Sequence, residues 1–288
     1  MLPSYTTYLI DLDGVVYRGE VLLPGAKEFI AWLDRTHKKY LFLTNNSFAS
    51  EVQVIAKLAR LDITTNASHV LGAGQAAVKN IARRFPNGTV YVVGEQPLLE
   101  MVSSYDLHIF EQEQQPAKVP ANPDAPASHL AEAVLVGLDR TFDYKKLTGA
   151  VTAVRGGAAF VAINRDPLLP IEGDVIPGCG AMVAAIEAAS STKPEVIGKP
   201  QPTLLQEAMR TLGSQPEETL MLGDGLDTDI AAGLAAKTHT LLVLSGKDSR
   251  KEVETTPFKP EYIYENLAAV VKDLQTADHM DADISGTN

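Results

Sequence analysis

Residues 8–15 read Tyr8-Leu9-Ile10-Asp11-Leu12-Asp13-Gly14-Val15. An apolar strand, residues 7–10, delivers two carboxylates one residue apart into a glycine turn. Such a pair can hold a divalent cation, or it can divide nucleophile and acid/base work between its members. Asp-x-Asp-Gly also opens calcium loops, but these need a glutamate at the twelfth position, and counting from Asp11 that residue is Leu22. A second acidic cluster, Gly223-Asp224-Gly225-Leu226-Asp227-Thr228-Asp229, follows another apolar strand, residues 219–222.

Working outward, strand and helix patterns alternate. Residues 25–35 read as a helix behind Pro24, with Phe29, Ile30 and Leu33 on one side. Residues 39–43 form a strand leading into Thr44-Asn45-Asn46-Ser47. A helix follows over 50–60, with Ser50 as its N-cap. Further strands are expected at 89–93, 133–136, 160–163, 195–197 and 240–244, with helices at 144–154 and 203–212. Gln112–Ser128, rich in Gln, Pro and Ala, reads as a surface loop. This alternation predicts an α/β fold, a parallel sheet covered by helices on both faces. Function is then expected at the strands' carboxyl ends. We divide the chain into a core of residues 1–82 and 191–276, an inserted α/β domain at 83–190, and a disordered tail at 277–288.

The chain has 288 residues and a formal charge of −11, which argues against nucleic acid or an anionic membrane as partner. No apolar run is long enough to span a bilayer. No basic, apolar leader is evident, so a cytoplasmic location is expected. The single cysteine, Cys179, excludes an internal disulfide and a Cys-rich zinc site. It reads as a small buried residue where a turn enters a helix. The six histidines, His37, His69, His108, His129, His239 and His279, show no metal-ligand spacing.

Four segments sit at strand ends: Asp11/Asp13, Thr44/Asn45/Asn46, Lys199, and Asp224/Asp229. Taken singly, each is an ordinary turn or helix start. Taken together, their chemistry suits phosphoryl transfer. Carboxylates hold Mg²⁺, which prefers hard oxygens. A hydroxyl and backbone amides at a helix N-terminus bind phosphate oxygens. A lysine supplies positive charge beside the transferring group.

These four segments resemble the motifs of haloacid dehalogenase (HAD) superfamily phosphatases. The insertion carries Val136-Gly137-Leu138-Asp139-Arg140, Asn164-Arg165-Asp166-Pro167 and Pro177-Gly178-Cys179-Gly180. It is similar to that of the NagD-like, or p-nitrophenyl phosphatase, branch. The resemblance extends to about residue 272. It implies a Rossmann-like core with an inserted α/β cap domain, and a Mg²⁺-dependent phosphatase acting through an aspartyl-phosphate. Asp11 would be the nucleophile and Asp13 the general acid, then base. Thr44, Asn45 and Asn46 would bind phosphate, and Lys199 would stabilise both Asp11 and the phosphate. Asp11, Asp13 (through its carbonyl) and Asp224 would ligate Mg²⁺. Asp229 would orient Lys199 or metal-bound waters, and Asp227 is expected to cap a turn. The presence of Asp13 favours phosphate over halide chemistry. Gly225 and Phe48 depart from the branch pattern and bear on the rim of the site. The loop from Asn164 to Ile171, with Asn164, Arg165 and Asp166, is a candidate substrate-facing loop of the cap. It reads equally as a strand end with ordinary proline turns. Expected substrates are small phosphate monoesters such as sugar phosphates, phosphoglycolate, nucleotides or aryl phosphates. The branch also admits a homodimer.

Two other readings stand beside this one. Gly72-Ala73-Gly74-Gln75-Ala76-Ala77 matches the G-x-G-x-x-A fingerprint, with Glu95 as the ribose ligand of a dinucleotide-binding oxidoreductase. The preceding segment is too polar for a good central strand. Alternatively, the fold could serve a non-catalytic binding protein.

Overall fold

The computed structural model describes residues 2–45, 51–110, 131–171 and 173–285. In chain order the elements begin with β1 (Thr7–Asp11), the hairpin β2 (Tyr17–Arg18) and β3 (Val21–Leu22), α1 (Ala26–Arg35), β4 (Lys39–Thr44) and α2 (Glu51–Arg60). Then come β5 (Val70–Gly72), α3 (Ala73–Arg84), β6 (Thr89–Val93), α4 (Gln96–Ser103), β7 (His108–Ile109), β8 (Ala133–Val136), α5 (Tyr144–Arg155) and β9 (Ala159–Ala162). The hairpin β10 (Leu168–Ile171) and β11 (Asp174–Pro177) precedes α6 (Cys179–Ser190) and β12 (Glu195–Val196). The chain closes with α7 (Thr203–Leu212), β13 (Thr219–Gly223), α8 (Ala231–Ala236), β14 (His239–Val243), α9 (Arg250–Thr255), β15 (Tyr262–Tyr264) and α10 (Leu267–Ser285).

Contacts divide the chain into two compact units. The first holds residues 1–44, 51–71 and 199–288; the second holds 45–50 and 72–198. In the first, a six-stranded sheet runs β15-β14-β13-β1-β4-β5. β1 is paired in parallel with β13 on one side and β4 on the other, Tyr8 lying opposite Leu220 and Tyr40. A strand covered on both faces should read as an unbroken apolar run. Tyr8, Leu9 and Ile10 do, and all three are fully buried. Against them pack Phe29 and Trp32 of α1, stacked with ring centroids 6.1 Å apart and each meeting Tyr8 edge-on. The chain leaves β1 toward β4 and later returns on the opposite side at β13. The crevice between the ends of β1 and β13 is therefore a topological switch point, where open α/β sheets bind ligands.

The second unit has its own five-stranded parallel sheet, β12-β9-β8-β6-β7. Val134 and Val136 of β8, Phe160 of β9, and Val183 and Ile186 of α6 belong to one buried cluster. The switch point here falls between β6 and β8.

Two expectations change. Glu195–Val196 does not resume the first sheet. It pairs with Val161 and Ala162 of β9 and is an edge strand of the second. Accordingly the units part at Gly72 and at Gly198/Lys199, where the sequence reading places the breaks at 83 and 190. α3 goes with the second unit because Gly74 lies against Ile163, and Arg84 at its end pairs with Glu195 (2.6 Å). The tail also differs: α10 continues to Ser285. Residues 273–285 contain neither glycine nor proline, the two strongest helix breakers. The expected loop at 112–128 and the Ser50 cap lie outside the described residues. Among the described residues no helix is long and apolar enough to cross a membrane.

Candidate active site

β1 ends at Asp11, half-buried in register with Leu43 at the carboxyl end of the sheet. Leu12 turns inward, Asp13 is exposed, and the chain doubles back through Gly14 at φ +80°. The Gly14 N–H donates to the Tyr17 carbonyl (2.7 Å). A side chain at Gly14 would be strained by that φ.

Lys199 is buried between two carboxylates. Its Nζ donates to Asp11 Oδ1 at 2.5 Å and to Asp229 Oδ1 at 2.6 Å. Asp229, 1% exposed, lies in the wide turn Leu226–Ile230 after β13. Its other oxygen accepts the N–H groups of Asp224 (3.2 Å) and Gly225 (3.0 Å). Asp11, Asp224 and Asp229 present carboxylate oxygens all within 4.8 Å of one another.

Three carboxylates around one ammonium leave an excess of negative charge in a poorly solvated place. Burial pushes the Asp11 carboxyl up to about 7; the charges of Asp229 and Asp224 add to this, and the Lys199 ammonium pulls against it. Burial, then the Asp229 charge, lifts Asp224 to about 6. Burial opposes the charged form of Lys199, but the two carboxylates outweigh it and hold the ammonium protonated beyond its ordinary range. A cation would relieve the imbalance, and the donors are of the right kind. They are hard carboxylate oxygens, with no sulfur or imidazole, as Mg²⁺ prefers.

The structure therefore gathers Asp11, Lys199, Asp224 and Asp229, all from the first unit. Asp13 projects into solvent beside them in the chain, and its carboxylate is not among the clustered oxygens. Asp227 is exposed and pairs with Lys247 (2.5 Å). Thr44 ends β4, half-buried. Asn45 follows, and Asn46, like Phe48, lies outside the described residues.

In the second unit, buried Asn164 donates from Nδ2 to the Asn45 carbonyl (3.1 Å) and accepts the Asp166 N–H (3.2 Å). Arg165 is paired with Glu187 of α6 (2.6 Å). Both side chains are thus engaged within their own unit. Cys179 is buried at the start of α6, and burial pushes its thiol up to about 12.

The dinucleotide reading fails on topology. The fingerprint needs strand, glycine turn, helix and strand within one sheet. β5 is an edge of the six-stranded sheet, whereas β6 belongs to the five-stranded one. Glu95, the expected ribose ligand, is held in a bidentate pair by Arg140 (2.6 and 2.8 Å).

Sequence reasoning missed the turn after β14. The Lys247 N–H donates to Asp224 Oδ2 (2.7 Å), and the Asp248 N–H to the Asp224 carbonyl (3.1 Å). The signal was present: Ser245-Gly246 directly follows an apolar strand, as the other site segments do.

Residues 8–108 match the haloacid dehalogenase-like hydrolase family, and residues 196–270 match a second HAD-like hydrolase model. An acid sugar phosphatase of Staphylococcus epidermidis is 32% identical, over 95% of this chain and all of the relative. The chain belongs to the haloacid dehalogenase-like hydrolases. The 5'-nucleotidase YutF of Bacillus subtilis is 34% identical, over 92% of this hydrolase and 97% of its own length. Among solved structures, the p-nitrophenyl phosphatase from Archaeoglobus fulgidus superposes with a TM-score of 0.81. It is 29% identical and covers 94% of this chain and 100% of its own. NagD from E. coli gives 0.79 at 29% identity, covering 92% and 98%. The fold is thus a HAD-type Rossmann-like core with an α/β cap domain, and this hydrolase cleaves phosphate monoesters. That also sets aside the non-catalytic reading.

Proposed function

We propose that the chain is a Mg²⁺-dependent phosphatase of small phosphorylated metabolites, working in the cytoplasm through an aspartyl-phosphate on Asp11. The observation that carries this reading is the ammonium of Lys199 bridging Asp11 and Asp229, with Asp224 in the same cluster. Asp11 attacks phosphorus, forming a carboxylate O–P bond as the P–O bond to the leaving group breaks. Asp13 gives its proton to the departing oxygen. It then takes a proton from the water that hydrolyses the acyl phosphate, returning Asp11 as a carboxylate. Lys199 stabilises charge on the phosphoryl oxygens, and Asp229 fixes its position. Thr44 and the Asn45 and Asn46 amides hold the phosphate. Asp11, Asp224 and the Asp13 carbonyl would hold Mg²⁺, which offsets negative charge so that an anionic nucleophile and an anionic phosphate can meet. Residues of the cap, with Asn164, Arg165 and Asp166 shaping one loop, exclude water and favour particular leaving groups. The names of the relatives point to sugar phosphates and nucleotides as the first substrates to try, beside phosphoglycolate and aryl phosphates.

The test is a panel of phosphate monoesters assayed with and without Mg²⁺, on the wild type and on Asp11→Asn. Metal-dependent release of phosphate is expected. In Asp11→Asn it should fall by about 10³-fold or more, with no phosphate trapped on the protein after acid quench. Retained turnover in that variant would remove Asp11 from the nucleophile role.

A further inference from the structure

Asp224 is held by backbone on two sides. A Cβ added to Gly246 would lie 1.9 Å from Asp224 Oδ2, and one added to Gly14 would lie 2.0 Å from the same atom. Neither position admits a side chain unless the carboxylate moves. Between these walls, Oδ2 accepts the Lys247 N–H at 2.7 Å. The turn that supplies this amide is itself stitched down. Ser245 Oγ donates to the Gly14 carbonyl (2.8 Å). The Arg18 guanidinium donates to the carbonyls of Ser245 (2.5 Å) and Gly246 (3.1 Å). On the far side, Asp248 Oδ2 accepts the Leu226 N–H (2.6 Å), tying the turn to the segment that carries Asp229. All of these residues belong to the first unit.

We infer that the turn Ser245–Asp248, pinned by Arg18, is the positioning element of the cation site. It sets the orientation of Asp224 and through it the affinity for the metal, without touching substrate. The inference rests on the proposed role of Asp224 as a cation ligand. A carboxylate free to rotate loses part of its affinity to the entropy of being fixed, and groups that orient a ligand typically govern affinity by about 10–100-fold. Lys247 orients Asp224 through its amide, which any residue but proline would supply. Arg18 contributes two bonds to carbonyls from an exposed position.

The experiment titrates Mn²⁺, a hard cation with the same oxygen preference, into the metal-stripped full chain, reading free Mn²⁺ by electron paramagnetic resonance. The wild type, Asp224→Asn, Gly246→Ala, Arg18→Gln and Lys247→Ala are compared, with circular dichroism melts alongside. Gly246→Ala is expected to weaken Mn²⁺ by about 10-fold or more, and Arg18→Gln by a smaller factor at the low end of that range. Lys247→Ala keeps the amide and removes a positive charge near Asp224, so it should bind no more weakly than the wild type. In steady-state assays with p-nitrophenyl phosphate, the Mg²⁺ concentration for half-activation should rise in Arg18→Gln. KM and kcat at saturating Mg²⁺ should stay put, a split that general loosening of the fold would not produce. If Gly246→Ala does not fold, Arg18→Gln decides. Mn²⁺ binding that is equal in the wild type and Arg18→Gln overturns the positioning role and leaves the cation site standing. A wild type that binds no Mn²⁺, or Asp224→Asn that binds as well as the wild type, overturns the cation site itself.

Discussion

Among the described residues the chain builds two large parallel sheets, each with a switch point, and one of the two crevices gathers unbalanced charge while the other does not. Between β1 and β13 lie Asp11, Lys199, Asp224 and Asp229, with carboxylates in excess of ammonium. Between β6 and β8 the corresponding place is filled and neutral. Leu98 of α4 stands over both glycines: a Cβ on Gly94 would lie 2.5 Å from its Cδ2, and one on Gly137 would lie 2.9 Å away. Ile163 closes in at 3.0 Å. The charges there are matched pairwise, Glu95 with Arg140 and buried Asp139 with Lys146 at 2.6 Å. Topology supplies a crevice. Whether it becomes a site depends on whether apolar side chains fill it and whether its charges are left unbalanced.

The contrast shows in the carboxyl groups. Asp139 is 1% exposed, so burial acts to raise it. Yet the bonds from Lys146 and Thr141 outweigh burial and hold it below the ordinary carboxylate range. Asp11 and Asp224, half-buried and, with Asp229, outnumbering their lysine, go the other way.

The largest effect should come from removing the buried ammonium of the first crevice, Lys199. Lys199→Met leaves Asp229 buried without its charge partner, a loss of about 3–5 kcal/mol by analogy with other broken buried pairs. Turnover should fall by about 10²–10³-fold. Thermal melts and kcat of the variant check both; a variant as active and as stable as the wild type would erase the distinction between the crevices. Next, Leu98→Ala uncovers the second crevice. It should cost about 2–4 kcal/mol in denaturant unfolding, leave KM for p-nitrophenyl phosphate unchanged, and confer no NADH binding by fluorescence. NADH binding in that variant would show that the plug alone kept this crevice from being a nucleotide site.

The smallest effect is one of pH, and the two crevices should oppose each other. A carboxyl raised on folding binds its proton more tightly in the native state. Its contribution is most favourable below the unfolded value and is lost as pH climbs through the folded one. For Asp224 and Asp11 that window closes at about 6 and about 7. Asp139, held low, gives stability that is present above the unfolded value and lost as pH falls through the folded one. Without divalent cation, the melting temperature should therefore drop toward neutral pH, and Mg²⁺ should diminish the drop. Asp224→Asn should flatten part of it, and Asp139→Asn should flatten only the acid limb. A cation-free melting temperature that does not change between about pH 5 and 8 would contradict the unbalanced charge.

Much of this was legible in the sequence. The long buried strands, β1, β4, β6 and β13, announce themselves because continuous apolar runs have few other uses. The carboxylates at their ends are conspicuous for the same reason. Glu195–Val196 was misplaced because a two-residue strand carries no periodicity, and which sheet edge it joins is settled by its partner, β9. α10 runs past the expected end because a polar stretch without glycine or proline does not by itself stop a helix. The turn at Ser245–Asp248 escaped notice because it acts on Asp224 through amides and missing side chains, which no residue type advertises.

Asp229 has both oxygens committed, one to Lys199 and the other to two amides. It has little left to offer a metal, so on the proposed reading only Asp11 and Asp224 would ligate through side chains. Most of the coordination shell would then fall to the main chain, to water and to the substrate's own phosphate. A site so sparsely furnished would grip its ion more firmly when filled with substrate than when vacant. By reciprocity, the factor by which phosphate tightens the ion is the factor by which the ion tightens phosphate.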